Sequence, residues 1–352
     1  MKNFKFKIIG GILIIVALFG GFLSSCTEDD GKPSGTRELV ISSVSKTVVI
    51  PANGEIPETV LDSTTTLGFA GQTLIIRGKG FGTLRKVYFN DFDTYFNPTL
   101  VTDEVIFVTI DRNTPYADVT NQLKLVTEYG TATYDFVVGP PAPGVHSFNP
   151  INAADGEEIT IYGSFFLDPV VKVGGVEAQI VSNTLTQIKA ILPAGSQLKK
   201  VSVSTIAGTT FYNTSVGTAI FDDAFYSPWT IEAWNNHEFV TDLTKSNQGL
   251  VFIKKTMNAY DNIQGNWAWN DQLSNYTGIK FAIRSEDAGK LKLVFNGDWG
   301  ETRLFETTKD WKEYKYTWEQ LGNPAALQNI SFQEFSGSTN TYYIDNITYT
   351  VD

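Results

Sequence analysis

Short runs of alternating apolar and polar residues recur along most of the chain. Clear examples span residues 73–76, 86–89, 123–126, 278–284 and 290–295. A period of two places apolar side chains on one face of a β-strand and polar side chains on the other. Helical periodicity is scarce, and Gly, Asn and Asp separate the runs, which is typical of turns between strands. The pattern predicts an all-β chain made of short strands.

A stretch of similar sequence occurs twice with the same spacing. Residues 71–78 read Gly-Gln-Thr-Leu-Ile-Ile-Arg-Gly and residues 156–163 read Gly-Glu-Glu-Ile-Thr-Ile-Tyr-Gly, and a turn that contains phenylalanine follows each copy. An internal repeat of this kind predicts two copies of one supersecondary unit. The shared glycine and strand pattern resembles the IPT/TIG family of immunoglobulin-like domains. The resemblance implies two β-sandwiches between residues 38 and 218.

Composition indicates the remaining boundaries. Three prolines between residues 139 and 144 favour a semi-rigid connection between the two copies. Both copies lack tryptophan, which favours a spacer role for them. The predicted divisions are a signal segment at 1–25, a cysteine and tether at 26–37, spacer domains at 38–140 and 141–218, and a third domain at 219–352.

The N-terminal segment is typical of an export signal. Lysines at positions 2, 5 and 7 precede an apolar run over residues 8–23, which is shorter than the roughly 20 residues of a membrane-spanning helix. The stretch Leu23–Cys26 resembles a bacterial lipobox, which implies that Cys26 becomes the lipidated N-terminus. Residues 27–30 resemble the acidic export tag of Bacteroidetes surface lipoproteins, which implies the outer face of the outer membrane. A transmembrane anchor is the alternative.

Every tryptophan of the chain lies at or after residue 229. Trp267 and Trp269 are two residues apart, so on a β-strand both would project from one face. The flat face of an indole stacks on the C–H face of a sugar ring, and neighbouring amide and carboxylate groups can bond to the sugar hydroxyls. We therefore predict a glycan-binding site in the third domain. The predicted glycan-binding residues are Trp234, Asn266, Trp267, Trp269, Asn270, Asp298, Trp299 and Glu301.

Two segments of the third domain resemble the opening and closing strands of jelly-roll carbohydrate-binding modules. Residues 221–223 read Phe-Asp-Asp, and residues 342–347 read Tyr-Tyr-Ile-Asp-Asn-Ile. The whole arrangement resembles the surface glycan-binding lipoproteins of Bacteroidetes polysaccharide-utilisation loci. The resemblance implies a jelly-roll-like third sandwich, capture of a neutral polysaccharide, and a partner outer-membrane glycan transporter. An unbranched β-glucan suits flat indole faces, and xyloglucan or another hemicellulose would give a similar sequence.

Charge and residue counts restrict the possible partners. The formal net charge of −11 disfavours nucleic acid, whose binding requires a basic surface, and is compatible with a neutral polysaccharide. One cysteine and two histidines are too few for a His/Cys zinc site. Asp222 or Asp223 together with Asp345 could hold calcium, but calcium usually takes roughly six to eight oxygen ligands. No metal and no cofactor is therefore predicted.

Two other functions remain alternatives to glycan capture. A glycoside hydrolase needs two carboxylates about 5–10 Å apart across a cleft. Asp298 and Glu301 have the required chemistry, but their spacing on one strand–loop junction does not place them opposite each other, so no catalytic residue is predicted. An adhesin or assembly subunit would instead use exposed aromatic side chains to contact a protein.

An aromatic cluster in the first spacer domain allows a second glycan site. Its members are Tyr88, Phe89, Phe92, Tyr95 and Phe96. Aromatic residues that alternate along strands more often pack in a hydrophobic core, so the cluster is interpreted first as core. The exposure of these side chains decides between the two interpretations.

Overall fold

The computed structural model describes residues 38–47, 63–267, 269–300 and 302–351. The predicted signal segment, the tether with Cys26, and Glu301 lie outside the described residues. Within them the chain is almost entirely β-structure, with thirty strands and three single-turn 3-10 helices. The all-β prediction is thereby confirmed. No helix in this part of the chain is long and apolar enough to cross a bilayer.

The first sandwich packs two four-stranded sheets around one apolar core. Its strands are β1 Val40–Lys46, β2 Leu67–Phe69, β3 Thr73–Lys79, β4 Leu84–Phe89, β5 Phe92–Thr94, β6 Phe96–Val101, β7 Val105–Thr109, β8 Gln122–Thr127, β9 Gly130–Asp135 and β10 Val137–Gly139. The sheets have the orders β1-β3-β7-β6 and β5-β4-β8-β9, and β2 pairs with β10 in parallel. Leu74 and Ile76 of β3 face Val87 and Phe89 of β4 in the core.

The second sandwich repeats this arrangement. Its strands are β11 Gly144–Asn149, β12 Glu158–Ser164, β13 Val170–Val173, β14 Val176–Glu177, β15 Gln179–Asn183, β16 Gln187–Ile191, β17 Lys200–Thr205 and β18 Gly208–Ser215. The sheets have the orders β11-β12-β16-β15 and β14-β13-β17-β18. Each strand thus occupies the place of its counterpart in the first sandwich, as the sequence repeat predicts.

The glycine that ends each copy of the repeat has a packing role. A Cβ atom on Gly78 would lie 1.9 Å from a carbonyl oxygen of β1, and one on Gly163 would lie 2.0 Å from a carbonyl oxygen of β11. The added Cβ atoms would also lie 2.5 Å from the Phe81 ring and 2.3 Å from the Phe166 ring, respectively. Any larger residue would push the first strand and the phenylalanine apart, so the repeated Gly and Phe belong to one packing unit.

Two facing sheets and a separate two-stranded pair make up the third sandwich, which has twelve strands. These are β19 Ala219–Phe221, β20 Glu238–Thr241, β21 Val251–Met257, β22 Asn262–Gln264, β23 Asp271–Gln272, β24 Gly278–Ser285, β25 Gly289–Phe295, β26 Arg303–Thr307, β27 Lys312–Thr317, β28 Ala326–Leu327, β29 Ile330–Glu334 and β30 Asn340–Thr350. The single-turn helices of the chain are Phe81–Thr83, Ala233–Asn235 and Glu319–Leu321.

One sheet of the third sandwich has the order β20-β21-β30-β24-β27, with β19 also paired to β30. The other has the order β22-β29-β25-β26, and β23 pairs with β28. Phe281 of the first sheet packs against Phe332 of the second, with ring centroids 4.7 Å apart. The apolar side chains of both sheets therefore share one core. The face of the β22-β29-β25-β26 sheet that lies away from this core is called the outward face.

A buried polar network joins the second and third sandwiches. Asp222 and Asp345 are fully buried at this junction. Asp222 accepts a hydrogen bond from the backbone amide of Ile151 in the second sandwich at 3.3 Å. Asp345 accepts one from the amide of Gln248 at 3.0 Å, and the Gln248 side chain donates to the carbonyl of Phe148. The two sandwiches are thus connected by directional bonds as well as by the chain.

Burial changes the acidity of the two junction carboxyls. It raises the pKa of Asp222 to about 7, and the neighbouring charge of Asp223 adds to the effect. Burial also raises the pKa of Asp345 well above the usual range of a carboxyl group.

Among the described residues, no group of three or more His, Cys, Asp or Glu side chains is placed to hold a metal ion.

Candidate glycan-binding site

The tryptophans of the third sandwich differ in exposure. Trp234, Trp267 and Trp299 have 62%, 55% and 39% of their surface exposed. The other four are buried or half-buried, namely Trp229, Trp269, Trp311 and Trp318. Only the three exposed side chains present much of an indole face to a ligand, because a stacked sugar must reach one face of the ring.

The prediction that Trp267 and Trp269 share one face of a β-strand is wrong, and so is the prediction that Trp269 binds the glycan. Strand β22 ends at Gln264, and neither Trp267 nor Trp269 lies in a strand, so the period of two does not apply to them. Trp269 is 4% exposed and packs edge-on against Trp229, with ring centroids 3.6 Å apart. A Cβ atom on Gly265 would lie 2.6 Å from the Trp269 ring. Trp269 therefore supports the segment that carries Trp267 from within the core, and it cannot stack on a ligand.

The two predicted asparagines have different surroundings. Asn266 is half-buried, and its backbone amide and side-chain Nδ2 donate to the carbonyls of Thr230 and Pro228 at 3.0 and 3.3 Å. Its Oδ1 is buried without a protein partner. These contacts fix Asn266 against the neighbouring loop, and its contact with sugar hydroxyls stays a prediction. Asn270 is exposed and is available to a ligand.

A glycine contact brings Trp267 against the loop that carries Trp299. Gly297 has a φ of 72°, and a Cβ atom added to it would lie 2.5 Å from the Trp267 ring. Only glycine allows both this backbone conformation and this approach. The loop is also tied to the sheet, because Nζ of Lys292 in β25 donates to the carbonyl of Trp299 at 2.5 Å. Two exposed indoles are thereby held close to one edge of the outward face.

A buried asparagine places Trp234 beside the same edge. Trp234 lies in the single-turn helix Ala233–Asn235, and the Asn235 side chain is fully buried. That side chain accepts a hydrogen bond from the amide of Gln264 at 2.9 Å and donates to the carbonyl of Gln264 at 3.2 Å. These bonds fix the short helix to the end of β22, where the Trp267 segment begins.

The predicted acidic residues flank Trp299. Asp298 is exposed, and its carboxylate lies 3.7 Å from the guanidinium of Arg303. Glu301 lies outside the described residues, so its position relative to Asp298 stays a prediction. Asp298 and Arg303 provide an acceptor and a donor beside an exposed indole, which is the chemistry that a sugar hydroxyl requires.

Sequence reasoning missed the residues that hold the three exposed tryptophans in place. Asn235, Lys292 and Gly297 each make the contact that fixes one exposed indole or its loop. Gly297 carried a signal, because the run Asn296–Gly300 is typical of a turn. Asn235 and Lys292 carried none, since their roles depend on contacts with segments distant in sequence.

Two family models match adjacent parts of the chain. The IPT/TIG domain matches residues 143–219, and the expansin-like protein C-terminal domain matches residues 220–352. An IPT/TIG domain-containing protein of Bacteroides ovatus is 29% identical over 114 residues, which are 30% of this chain and 23% of that protein. The chain thus spans less than a quarter of the length of that curated relative.

Comparison with solved structures finds similarity to two surface glycan-binding proteins. PbSGBP-B from Prevotella bryantii is 19% identical with a TM-score of 0.48, covering 89% of this chain and 98% of the other. SGBP-B from a complex xyloglucan utilisation locus in Bacteroides uniformis is 12% identical with a TM-score of 0.35, covering 89% of this chain and 99% of the other. The match to the IPT/TIG model shows that residues 143–219 form an IPT/TIG domain, as the resemblance of the sequence repeat implies.

Proposed function

We propose that the third sandwich binds a neutral polysaccharide through the surface formed by Trp234, Trp267 and Trp299. The observation that carries this proposal is the separate anchoring of three exposed indoles near one edge of a sheet. Each is held by a specific contact, through Asn235, Gly297 or Lys292. Large apolar side chains that are exposed and fixed in place are typical of binding surfaces.

The energetics suit reversible capture. Stacking on an aromatic ring contributes about 1–3 kcal/mol per ring, by analogy with nucleic-acid bases. Two or three such contacts, reduced by the cost of ordering the ligand, correspond to affinity in roughly the micromolar to millimolar range. Affinity of this order would retain a polysaccharide at the surface and still release it.

An unbranched β-glucan is the proposed ligand, with xyloglucan or another hemicellulose as the alternative. Flat indole faces suit sugar rings whose substituents are equatorial, and the net charge of −11 disfavours a strongly anionic chain.

The remaining parts of the chain are proposed to place this site outside the cell. Lipidated Cys26 would anchor the protein in the outer membrane, and the first two sandwiches would act as spacers. Captured glycan would then pass to an outer-membrane transporter, as the resemblance of the whole chain implies. Binding followed by transfer requires no catalysis by this chain.

Isothermal titration of the soluble chain that follows Cys26 tests this proposal. The panel contains laminarin, mixed-linkage glucan, cellulose oligosaccharides, xyloglucan and mannan. We expect binding to at least one β-glucan, abolished in Trp267→Ala and weakened in Trp299→Ala. Phe211→Ala, which removes an exposed aromatic residue from the second sandwich, serves as the matched control and should bind like the unaltered protein. No binding to any polysaccharide by a folded sample would overturn the proposal and favour a protein partner.

A further inference from the structure

The sheet that supports the exposed tryptophans carries a second aromatic pair at its other end. β22 and β29 are antiparallel, with Asn262 opposite Gln333. Tyr260 precedes β22 and Phe335 follows β29, so both lie beyond the same end of this strand pair. Trp267 lies beyond the opposite end. The outward face of the sheet therefore has aromatic residues at both ends.

Tyr260 adopts a backbone conformation that is unfavourable for a bulky residue. Its φ is 63°, and 61% of its surface is exposed. The conformation is held by β29, because the Tyr260 amide donates to Oε2 of Glu334 at 3.3 Å and its carbonyl accepts from Nε2 of Gln333 at 3.0 Å. Glycine or asparagine would occupy this position at a lower cost in free energy. An exposed aromatic ring in such a position indicates a role other than stability.

A lysine connects this pair to the tryptophan loops. The rings of Tyr260 and Phe335 meet edge-on, with centroids 5.8 Å apart. Nζ of Lys292 lies 5.7 Å from the Phe335 ring and also donates to the carbonyl of Trp299. Lys292 belongs to the outward face, because the alternate residues of β25 fill the core. Lys292 is only 7% exposed, and its side chain contacts both the Phe335 ring and the Trp299 loop, so it links the two aromatic ends from below their exposed surfaces.

We propose that the glycan site continues from the tryptophan loops across the outward face to Tyr260 and Phe335, so that its ligand is an oligosaccharide chain long enough to contact both ends. This inference rests on the proposed function of the same surface. Tyr260 stacks on a sugar unit distant from the one that contacts Trp267. Short oligosaccharides that reach only the tryptophan end therefore bind without the contribution of Tyr260.

Chain-length dependence in a Tyr260→Gly variant tests the inference. The probes are oligosaccharides of laminarin, cellulose, xyloglucan and mannan, from disaccharide to hexasaccharide, titrated against the soluble chain. We expect the unaltered protein to bind the longer members of one series more tightly than the shorter ones. Tyr260→Gly should lose about tenfold in affinity for the long members, since one stacked ring contributes on that order, and little for the short ones.

Thermal unfolding of the same variant separates binding from structure. Glycine adopts a positive φ without strain, so the Tm of Tyr260→Gly should be equal to or higher than that of the unaltered protein. Tyr129→Ala, which removes an exposed tyrosine from the first sandwich, is the matched control and should change neither binding nor its length dependence.

The outcomes distinguish this inference from the proposed function. If Trp267→Ala abolishes binding while Tyr260→Gly binds long chains as tightly as the unaltered protein, the extended site is wrong and glycan capture stands. A lower Tm with unchanged length dependence would assign Tyr260 a structural role and also overturn the inference. If no series binds the unaltered protein, both proposals fail.

Discussion

The second and third sandwiches both enclose an apolar core between two sheets, and they differ in where their aromatic residues lie. In the second sandwich, Phe148 and Phe166 are fully buried, and Phe166 fills the space beside Gly163. In the third, Trp234 and Trp267 stand exposed on segments outside the strands. The comparison teaches that the second sandwich uses these large aromatic side chains to fill its core, whereas the third sandwich also holds indoles exposed on anchored segments outside the strands.

The largest expected effect is the difference in stability loss between alanine variants of two neighbouring tryptophans. Trp269→Ala should lower the free energy of unfolding by about 3–5 kcal/mol, because it leaves a cavity against Trp229 in the core. Trp267→Ala should lower it by less than about 1 kcal/mol, since most of that side chain is exposed. Urea unfolding followed by circular dichroism measures both values. Equal losses of stability would show that Trp267 also belongs to the core, and the contrast between core and surface aromatics would fail.

The same pair shows what the sequence could and could not predict. The concentration of tryptophan after residue 229 correctly pointed to the part of the chain where exposed indoles occur. Which tryptophan is exposed depends on the end of β22 at Gln264, and strand ends are set by tertiary contacts such as that between Gly265 and Trp269. A periodicity argument cannot locate such an end.

The repeat of the first two sandwiches was easier to predict because its signal is local. Gly163 and Phe166 are three residues apart and pack against each other, so one short motif records the contact. Tyr260 is the opposite case. Its strained position depends on Gln333 and Glu334, more than seventy residues away, and the only local signal is an aromatic residue within a turn-like run of Asn and Asp.

The next largest effect is the pH dependence of stability that arises at the junction between the second and third sandwiches. The pKa of Asp222 is about 7 in the folded protein and about 3.8 when unperturbed, so the folded state keeps a proton that the unfolded chain releases between these values. Stability from this group is therefore greatest at low pH and is lost as the pH rises towards 7. Asp222 alone should lower the free energy of unfolding by up to about 1.4 kcal/mol per pH unit in this window.

Tryptophan fluorescence measures this effect in the third sandwich, since all seven tryptophans lie there. Urea unfolding is measured between about pH 5 and 7. The free energy of unfolding of Asp222→Asn should depend less steeply on pH than that of the unaltered protein, because asparagine does not titrate. The groups around Asp222 include Asp223, Asp345, Tyr212 and Tyr226. Of these, Asp345 also has a raised pKa, so part of the slope should remain in the variant. Identical slopes would mean that Asp222 does not titrate in this range.

The smallest expected effect concerns the aromatic cluster of the first sandwich, which decides whether the spacers are passive. Phe89 is fully buried, and the ammonium of Lys124 lies 4.8 Å from the ring of Tyr88. Phe92 and Phe96 are half-buried, which leaves Tyr95 as the exposed member, at 80%. One exposed ring without a second beside it provides a weak platform for a sugar chain.

Tyr95→Ala should therefore change glycan affinity by less than roughly twofold and stability by less than about 0.5 kcal/mol. Isothermal titration against the polysaccharide that the third sandwich binds measures the affinity. A clear loss would identify a second site on the first sandwich, and the division into spacer and binding domains would no longer hold.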